Sequence, residues 1–293
     1  MLLSIIIVSW NVSHLLEKCL ESVFKHAKDL DFEIFVVDNH SKDDSAVMVA
    51  TKFPQVSLMI NSINRGFSQA NNQAIKQAQG KYILLLNPDT EISENSIKNL
   101  INFADSNQNI GIVGPKILNP DLSLQRSCRR FPGFWDQFFI QLKFYNLFPR
   151  KIPTIKKYFM FDFDHQHTMQ VDQIMGAAML IKKSVFEKIG LLDEKFWAVF
   201  EEVDFCFRAY KAGFKIYFFP QAKIIHHKGQ SFNQVASLRR QINFNHSLYH
   251  YFHQHKPFYQ FFILWCLQPL NLLLTLIDIK LSLRKSIGKN KDL

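Results

Sequence analysis

Short apolar runs alternate with helical-period stretches along the first 118 residues. Residues 3–8 form a run of Leu, Ser, Ile and Val, and behind it Leu15, Leu16, Cys19, Leu20 and Val23 recur at the spacing of one helix face. Asn11 stands where an N-cap would open that helix. Residues 32–37 are a second run, ending in Asp38 and Asn39, after which Ser41 and Asp44 are spaced like a capping box for the next helix. A third strand over 56–60, a turn at 61–66 and a helix over 67–78 follow, closed by Gly80. Consecutive β-α units of this kind predict an α/β fold with a mostly parallel sheet and right-handed crossovers.

The stretch KYILLLNPDTEI, residues 81–92, sets Tyr82 to Leu86 directly before Asn87, Pro88 and Asp89. Unbroken apolarity over such a length fits a strand buried on both faces. Ligands of open α/β sheets bind beyond the carboxyl ends of the strands, which makes Asp89 a candidate to meet a cofactor or cation. Taken alone, the same residues are better described as an Asx turn. Two other strand ends carry polar groups: Ser9, Trp10 and Asn11 after the first, Asp38 and Asn39 after the second. An indole stacks on a base, a carboxylate accepts from base N–H or ribose hydroxyls, and Asp89 can hold a cation against phosphates. Together these groups describe a nucleotide site. The turn after the first strand reads SWNVSH where a dinucleotide fold would carry GxGxxG, so a nicotinamide cofactor loses its main support.

Residues 116–170 break the alternation. Basic segments at 125–130 (QRSCRR) and 143–157 are interleaved with Phe131, Phe134, Trp135, Phe138 and Phe139, a mixture suited to anionic lipid headgroups or a lipid diphosphate, or equally to an insertion that folds its aromatics inward. No nucleic-acid reader module is present, and no nucleic-acid partner is expected. Residues 232–255 read as helix, and 258–279 are strongly apolar but interrupted by Gln260, Gln268, Pro269, Asn271 and Asp278. An interfacial helix, or a pair broken at Pro269, fits better than a single span; a soluble helix packed on the domain or on another subunit is the alternative. Lys280, Arg284, Lys285, Lys289 and Lys291 then suit anionic lipid on the cytoplasmic side of the plasma membrane. The expected organisation is one domain over 1–231 with a basic aromatic insertion at 119–170, and a membrane-associated helical extension over 232–293. A net charge of +10 agrees with an anionic partner, either a nucleotide-linked substrate or a membrane surface. Four scattered cysteines without a CxxC pair argue for a reducing compartment.

SIIIVSWN, VVDNHSKDDS, NRGFSQANNQAI and YILLLNPDT, in that order, resemble the nucleotide-binding half of family 2 glycosyltransferases with the GT-A fold, and in particular the rhamnosyltransferase-like branch. The resemblance implies that Ser9, Trp10, Asn11 and Asp38 hold the nucleoside. It also implies that Asn64, Arg65, Gly66 and Asn72 line the donor pocket, and that Asp89 binds a divalent metal, with Asn87 in place of the first acid of that motif. It resumes over residues 171–231, where Gly176, the Asp193-Glu194 turn, Phe196-Trp197, Glu201-Glu202, Pro220, His226 and Ser231 follow the family pattern in order. Glu202 then matches the general base, beside Glu201 and Gly176 on the substrate side, although Glu201-Glu202 stands where Glu-Asp or Asp-Asp is usual. His226 is implied as a second metal ligand, and its imidazole favours Mn2+ over Mg2+. The implied function is inverting, metal-dependent transfer of a sugar from a nucleoside diphosphate, with rhamnose from dTDP as one candidate donor. The implied acceptor is a glycan or polyprenyl-diphosphate-linked glycan of surface polysaccharide synthesis. A non-catalytic sugar-nucleotide or glycan binding module is the alternative.

Overall fold

A computed structural model describes the chain apart from residues 149, 228, 230–233 and 290–293, so Ser231 and Lys291 lie outside the described residues. The chain forms two compact units, residues 1–131 with 163–231 and residues 132–162 with 232–293. The stretch expected as a single insertion is divided between them: 119–131 and 163–170 belong to the first unit and 132–162 to the second.

In the first unit, β1 (Leu3–Ser9), α1 (Ser13–His26), β2 (Phe32–Asp38), α2 (Ser45–Lys52), β3 (Ser57–Ile60), α3 (Phe67–Ile75) and β4 (Tyr82–Leu86) are the predicted β-α units. β5 (Thr90–Ile92), α4 (Ser96–Asp105), β6 (Ile110–Leu118), β7 (Leu124–Gln125) and β8 (Cys128–Arg129) follow. The second unit then takes α5 (Phe134–Gln141), α6 (Phe144–Leu147) and α7 (Pro153–Tyr158). The chain returns to the first with β9 (Met169–Gln170), β10 (Gln173–Ile174), β11 (Ala178–Lys182), α8 (Lys183–Ile189), α9 (Glu201–Lys211) and β12 (Lys215–His226). α10 (Ser237–His255), α11 (Phe258–Cys266) and α12 (Gln268–Lys289) complete the second.

The main sheet runs β3-β2-β1-β4-β11-β6-β12-β5. β1 to β4 are mutually parallel, β11 is antiparallel to both β4 and β6, β12 is parallel to β6, and β5 is antiparallel to β12. Every residue of β4 is buried because it pairs on both edges, with β1 and β11, and is covered on both faces. On one face Leu3, Ile5 and Ile7 join Leu16, Cys19, Leu20 and Val23 of α1 in a common core, the stripe legible in the sequence.

The helix starts differ from the sequence pattern. α1 opens at Ser13 without a side-chain cap. Asn11, expected as the N-cap, takes a left-handed conformation (φ 53°), accepts from the Lys42 N–H at 2.6 Å, and donates its own N–H to Ser41 Oγ at 3.0 Å. Ser41 therefore forms no capping box, and α2 begins later, at Ser45. Adjacent parallel strands set the two βα turns side by side, and bonds between the turns satisfy groups that local capping would otherwise serve.

Candidate active site

The parallel register makes Ser9 and Asp38 direct neighbours at the ends of β1 and β2. Both are buried, and both keep an unpartnered polar atom: Ser9 Oγ and Asp38 Oδ1, while Asp38 Oδ2 accepts from the Ser41 N–H at 3.1 Å. A buried hydroxyl and carboxylate oxygen left without partners cost stability unless a ligand satisfies them. Trp10 follows, half-buried.

Asn39, noted at the end of the second strand but given no role by the family resemblance, organises the next loop. Its Nδ2 donates to Asn64 Oδ1 at 3.0 Å and to the Gly66 carbonyl at 3.1 Å, and its Oδ1 accepts from the Arg65 N–H at 2.9 Å and from Asn61 Nδ2 at 3.1 Å. Arg65 Nε is buried without a partner. Gly66 lies at φ 78°, and a Cβ there would fall 2.5 Å from the Trp197 carbonyl oxygen, which already accepts from the Phe67 N–H at 2.7 Å. Asn72 is 1% exposed and ties α3 to the 191–197 loop: Nδ2 donates to the Leu192 carbonyl at 2.9 Å and to Glu194 Oε1 at 3.0 Å, and Oδ1 accepts from the Leu192 N–H at 3.1 Å. Asn11, Asn64, Gly66 and Asn72 are thus loop braces, whereas Ser9, Asp38 and Arg65 retain unpartnered polar atoms. A row of amides at 39, 61, 64, 71 and 72 was the sequence signal for this bracing.

The Asn87-Pro88-Asp89 turn is held from both sides. Asn87 donates its N–H to the Ala177 carbonyl at 2.9 Å and accepts from Thr90 Oγ1 at 2.7 Å. Beneath it the Cys19 thiol faces the Asn87 carbonyl at 3.6 Å; burial pushes this thiol up to about 12, so it supports the turn and is no nucleophile. Asp89 and His226 come together because β5 starts at Thr90 and pairs antiparallel with the last turn of β12, setting His226 opposite Thr90. A register shift between Phe219 and Lys223, spanning Pro220, re-aims this half of β12.

Both side chains are buried, with His226 Nε2 3.3 Å from Asp89 Oδ1. Gln125 on β7 donates from Nε2 to Asn119 Oδ1 at 2.8 Å, which turns its Oε1 to accept from His226 Nδ1 at 2.6 Å. That bond holds the Nδ1–H tautomer and directs the Nε2 lone pair, which has no hydrogen-bond donor, at a carboxylate oxygen. Two facing acceptors repel unless a cation or a proton lies between them, so the pair fits a divalent ion. Among the described residues there is no group of three or more His, Cys, Asp and Glu able to hold a metal. Substrate oxygens and water would complete the shell of any ion bound here. His227 faces away, bonded to Glu91 Oε1 at 2.6 Å.

Glu201 and Glu202 open α9 behind two consecutive left-handed residues, Val199 (φ 66°) and Phe200 (φ 73°). A β-branched residue in that region is strained, and such strain persists where surrounding structure enforces it. Glu201 Oε2 and Glu202 Oε2 are buried without partners. Burial raises both carboxyls; Glu201 goes further, pushed also by the charge of Glu202, whereas the helix-start N–H groups and Arg129 pull Glu202 back. The two carboxyls therefore titrate as a pair, with both raised above the ordinary glutamate range. Gly176 lies across from Glu202, whose Cβ is 3.7 Å from where a side chain at 176 would begin. Since the Ala177 carbonyl accepts from the Asn87 N–H, Gly176 sits between the acidic pair and the Asn87-Pro88-Asp89 turn. Behind the pair, Arg208 donates from Nε to Asp204 Oδ2, four residues earlier, at 2.7 Å, and also donates to the Ile189 and Leu191 carbonyls. Segment 119–131, part of the insertion read from sequence as suited either to lipid headgroups or to inward packing, contributes Gln125 and Arg129 to the sheet unit's site.

The family model for glycosyl transferase family 2 matches residues 4–190, a span that holds Ser9, Asp38, Gly66, Asp89 and Gly176 and stops short of Glu202 and His226. The chain is 25% identical over 257 residues to an N-acetylglucosaminyl-diphospho-decaprenol L-rhamnosyltransferase of Mycobacterium tuberculosis, covering 78% of this chain and 77% of that protein. It is 26% identical over 245 residues to the rhamnosyltransferase WbbL of Escherichia coli K12, covering 79% and 87%. A solved mannosyltransferase from Pyrobaculum calidifontis, in complex with GDP-Man and Mn2+, superposes with a TM-score of 0.57 at 15% identity, over 96% of this chain and 75% of that one. That likeness carries the fold, which is the GT-A arrangement the sequence pattern implied. With well over half of its length matched by the family model, the chain belongs to glycosyl transferase family 2, in the rhamnosyltransferase-like branch.

Proposed function

We propose that this family 2 glycosyltransferase moves a sugar, with inversion and with a divalent metal, from a nucleoside diphosphate to a hydroxyl of a lipid-linked glycan. The relatives named as rhamnosyltransferases make dTDP-rhamnose the first donor to test. The observation that carries the reading is the acidic pair at the start of α9, held buried with unpartnered oxygens behind the strained Val199-Phe200 step. Glu202 takes the acceptor hydroxyl proton. Burial raises its carboxyl, which makes the ionised form a stronger base than an ordinary glutamate, and it titrates as a pair with Glu201. Ser9 Oγ and Asp38 Oδ1 receive the nucleoside, with Trp10 beside them as a stacking surface.

Asp89 and His226 are the residues that would hold the metal, Mn2+ before Mg2+, and Gln125 would keep His226 in the ligating tautomer. When bound, such an ion supplies positive charge for the departing diphosphate. The test is nucleoside diphosphate release across a panel of sugar nucleotides, with and without Mn2+, together with the anomeric configuration of the product. Glu202→Gln should lower turnover by about 10²–10⁴-fold while leaving donor affinity within a few-fold. Tight donor binding with no turnover by the unsubstituted protein under any condition would establish a binding module instead.

A further inference from the structure

Helix α12 has its polarity reversed. α12 turns Asn271 and Thr275 inward, at 1% and 6% exposure, and sets Leu270, Leu273, Leu276, Ile277 and Leu281 outward. Asn271 Nδ2 donates to the Gln141 carbonyl at 2.7 Å, its Oδ1 accepts from Asn245 Nδ2 at 2.8 Å, and Thr275 Oγ1 donates to the Asn271 carbonyl at 2.8 Å. Gln137, Gln141 and Asn245 are buried with them. α11 likewise exposes Phe258, Tyr259, Phe262, Ile263 and Trp265. A helix packed in water buries its leucines and exposes its amides; α12 instead turns Asn271 and Thr275 inward and several leucines outward, while Leu248, Tyr251, Phe252 and Leu264 supply the apolar part of the unit's core. A surface of this size needs a partner.

Charge identifies that partner. The helical unit holds 13 Lys and Arg against 4 Asp and Glu, a net +9, whereas the sheet unit holds 22 against 21 and is nearly neutral. A second copy would bring another unit of net +9, so self-association is opposed and an anionic surface is favoured. Aromatic residues at 258, 259, 262 and 265 with leucines behind them suit the boundary between headgroups and acyl chains. Among the described residues no single helix is long and apolar enough to cross a membrane. α11 and residues 268–281 of α12 reach that length and composition only together, and they are bent by 43°. We infer that the outer face of α11 and α12 is a docking surface for an anionic phospholipid bilayer, lying in one leaflet with the buried amides of α12 turned away from the lipid. This rests on the helical unit alone and is independent of the sugar-transfer reading.

Flotation of the full chain with vesicles tests it. Vesicles of equal phosphatidylcholine and phosphatidylglycerol should carry the protein at low salt, and binding should fall at least about tenfold in pure phosphatidylcholine or at high salt. The double variants Phe262→Ser with Trp265→Ser, and Leu273→Ser with Leu276→Ser, should each weaken vesicle binding about tenfold with helicity and sugar-nucleotide affinity unchanged. Should either pair fail to fold, Trp265 emission reads the same contact: it should shift to the blue on adding anionic vesicles, and the shift should shrink in Trp265→Phe. Binding indifferent to headgroup charge, no vesicle binding at all, or a concentration-dependent dimer dissolved by the serine variants would each overturn the inference.

Discussion

At the scale of single residues, the site depends on a few positions where one atom more or less changes the outcome. Gly66 combines a left-handed backbone with a Cβ position 2.5 Å from a carbonyl oxygen, so neither the conformation nor the space admits a side chain. Gly66→Ala should cost about 1–3 kcal/mol and raise the KM for donor, read by thermal unfolding and by donor titration. Glu201 shows the sign of the site's pH dependence. Its folded pKa is raised by burial and by Glu202, so its contribution to stability is complete below the ordinary glutamate range and is lost as the pH rises through the folded value. Glu201→Gln should therefore raise the unfolding midpoint in mildly alkaline buffer, and the gain should vanish toward the ordinary glutamate range. A gain that is constant with pH would remove the buried charge as its cause.

At the scale of elements, the site is made by pairing and not by contiguity. Asp89 and His226 meet because β5 pairs with the end of β12, beyond the register shift of β12 against β6, and β7 adds the glutamine that sets the tautomer. Gln125→Leu leaves the strands intact and releases the ring. Mn2+ affinity in the presence of nucleoside diphosphate, followed by electron paramagnetic resonance, should fall about 10–100-fold. α3 is coupled to the 191–197 loop by three bonds from one buried amide. Asn72→Ala leaves the Leu192 groups unpaired and should cost about 2–3 kcal/mol in denaturant unfolding, with donor affinity reduced because Trp197 and Gly66 share the same loop contact. The strands and the first helices were legible because buried parallel strands are continuous apolar runs and α1 has a clear stripe. The helix starts were not, since Asn11 and Ser41 bond across two neighbouring turns whose adjacency exists only once β1 and β2 pair.

At the scale of the whole molecule, two units with different surface chemistry are built from interrupted stretches of chain. Residues 132–162 and 232–293 are distant in sequence and belong to one helical unit, which holds +9 of the net +10 charge. The mixture of basic and aromatic residues was visible in the sequence, but not which stretches would associate or which way the helices would turn. By itself the sequence determined the α/β alternation, the chemistry offered at the strand ends and the acidic pair at 201–202, because apolar periodicity and residue type are local properties. Only tertiary structure decided that Asn72 braces while Asp38 retains an unpartnered oxygen, that His226 points at Asp89, and that α12 hides its amides. Hydrogen-bond partners and buried faces are assigned by packing between segments far apart in the chain, and no local pattern encodes which segment arrives.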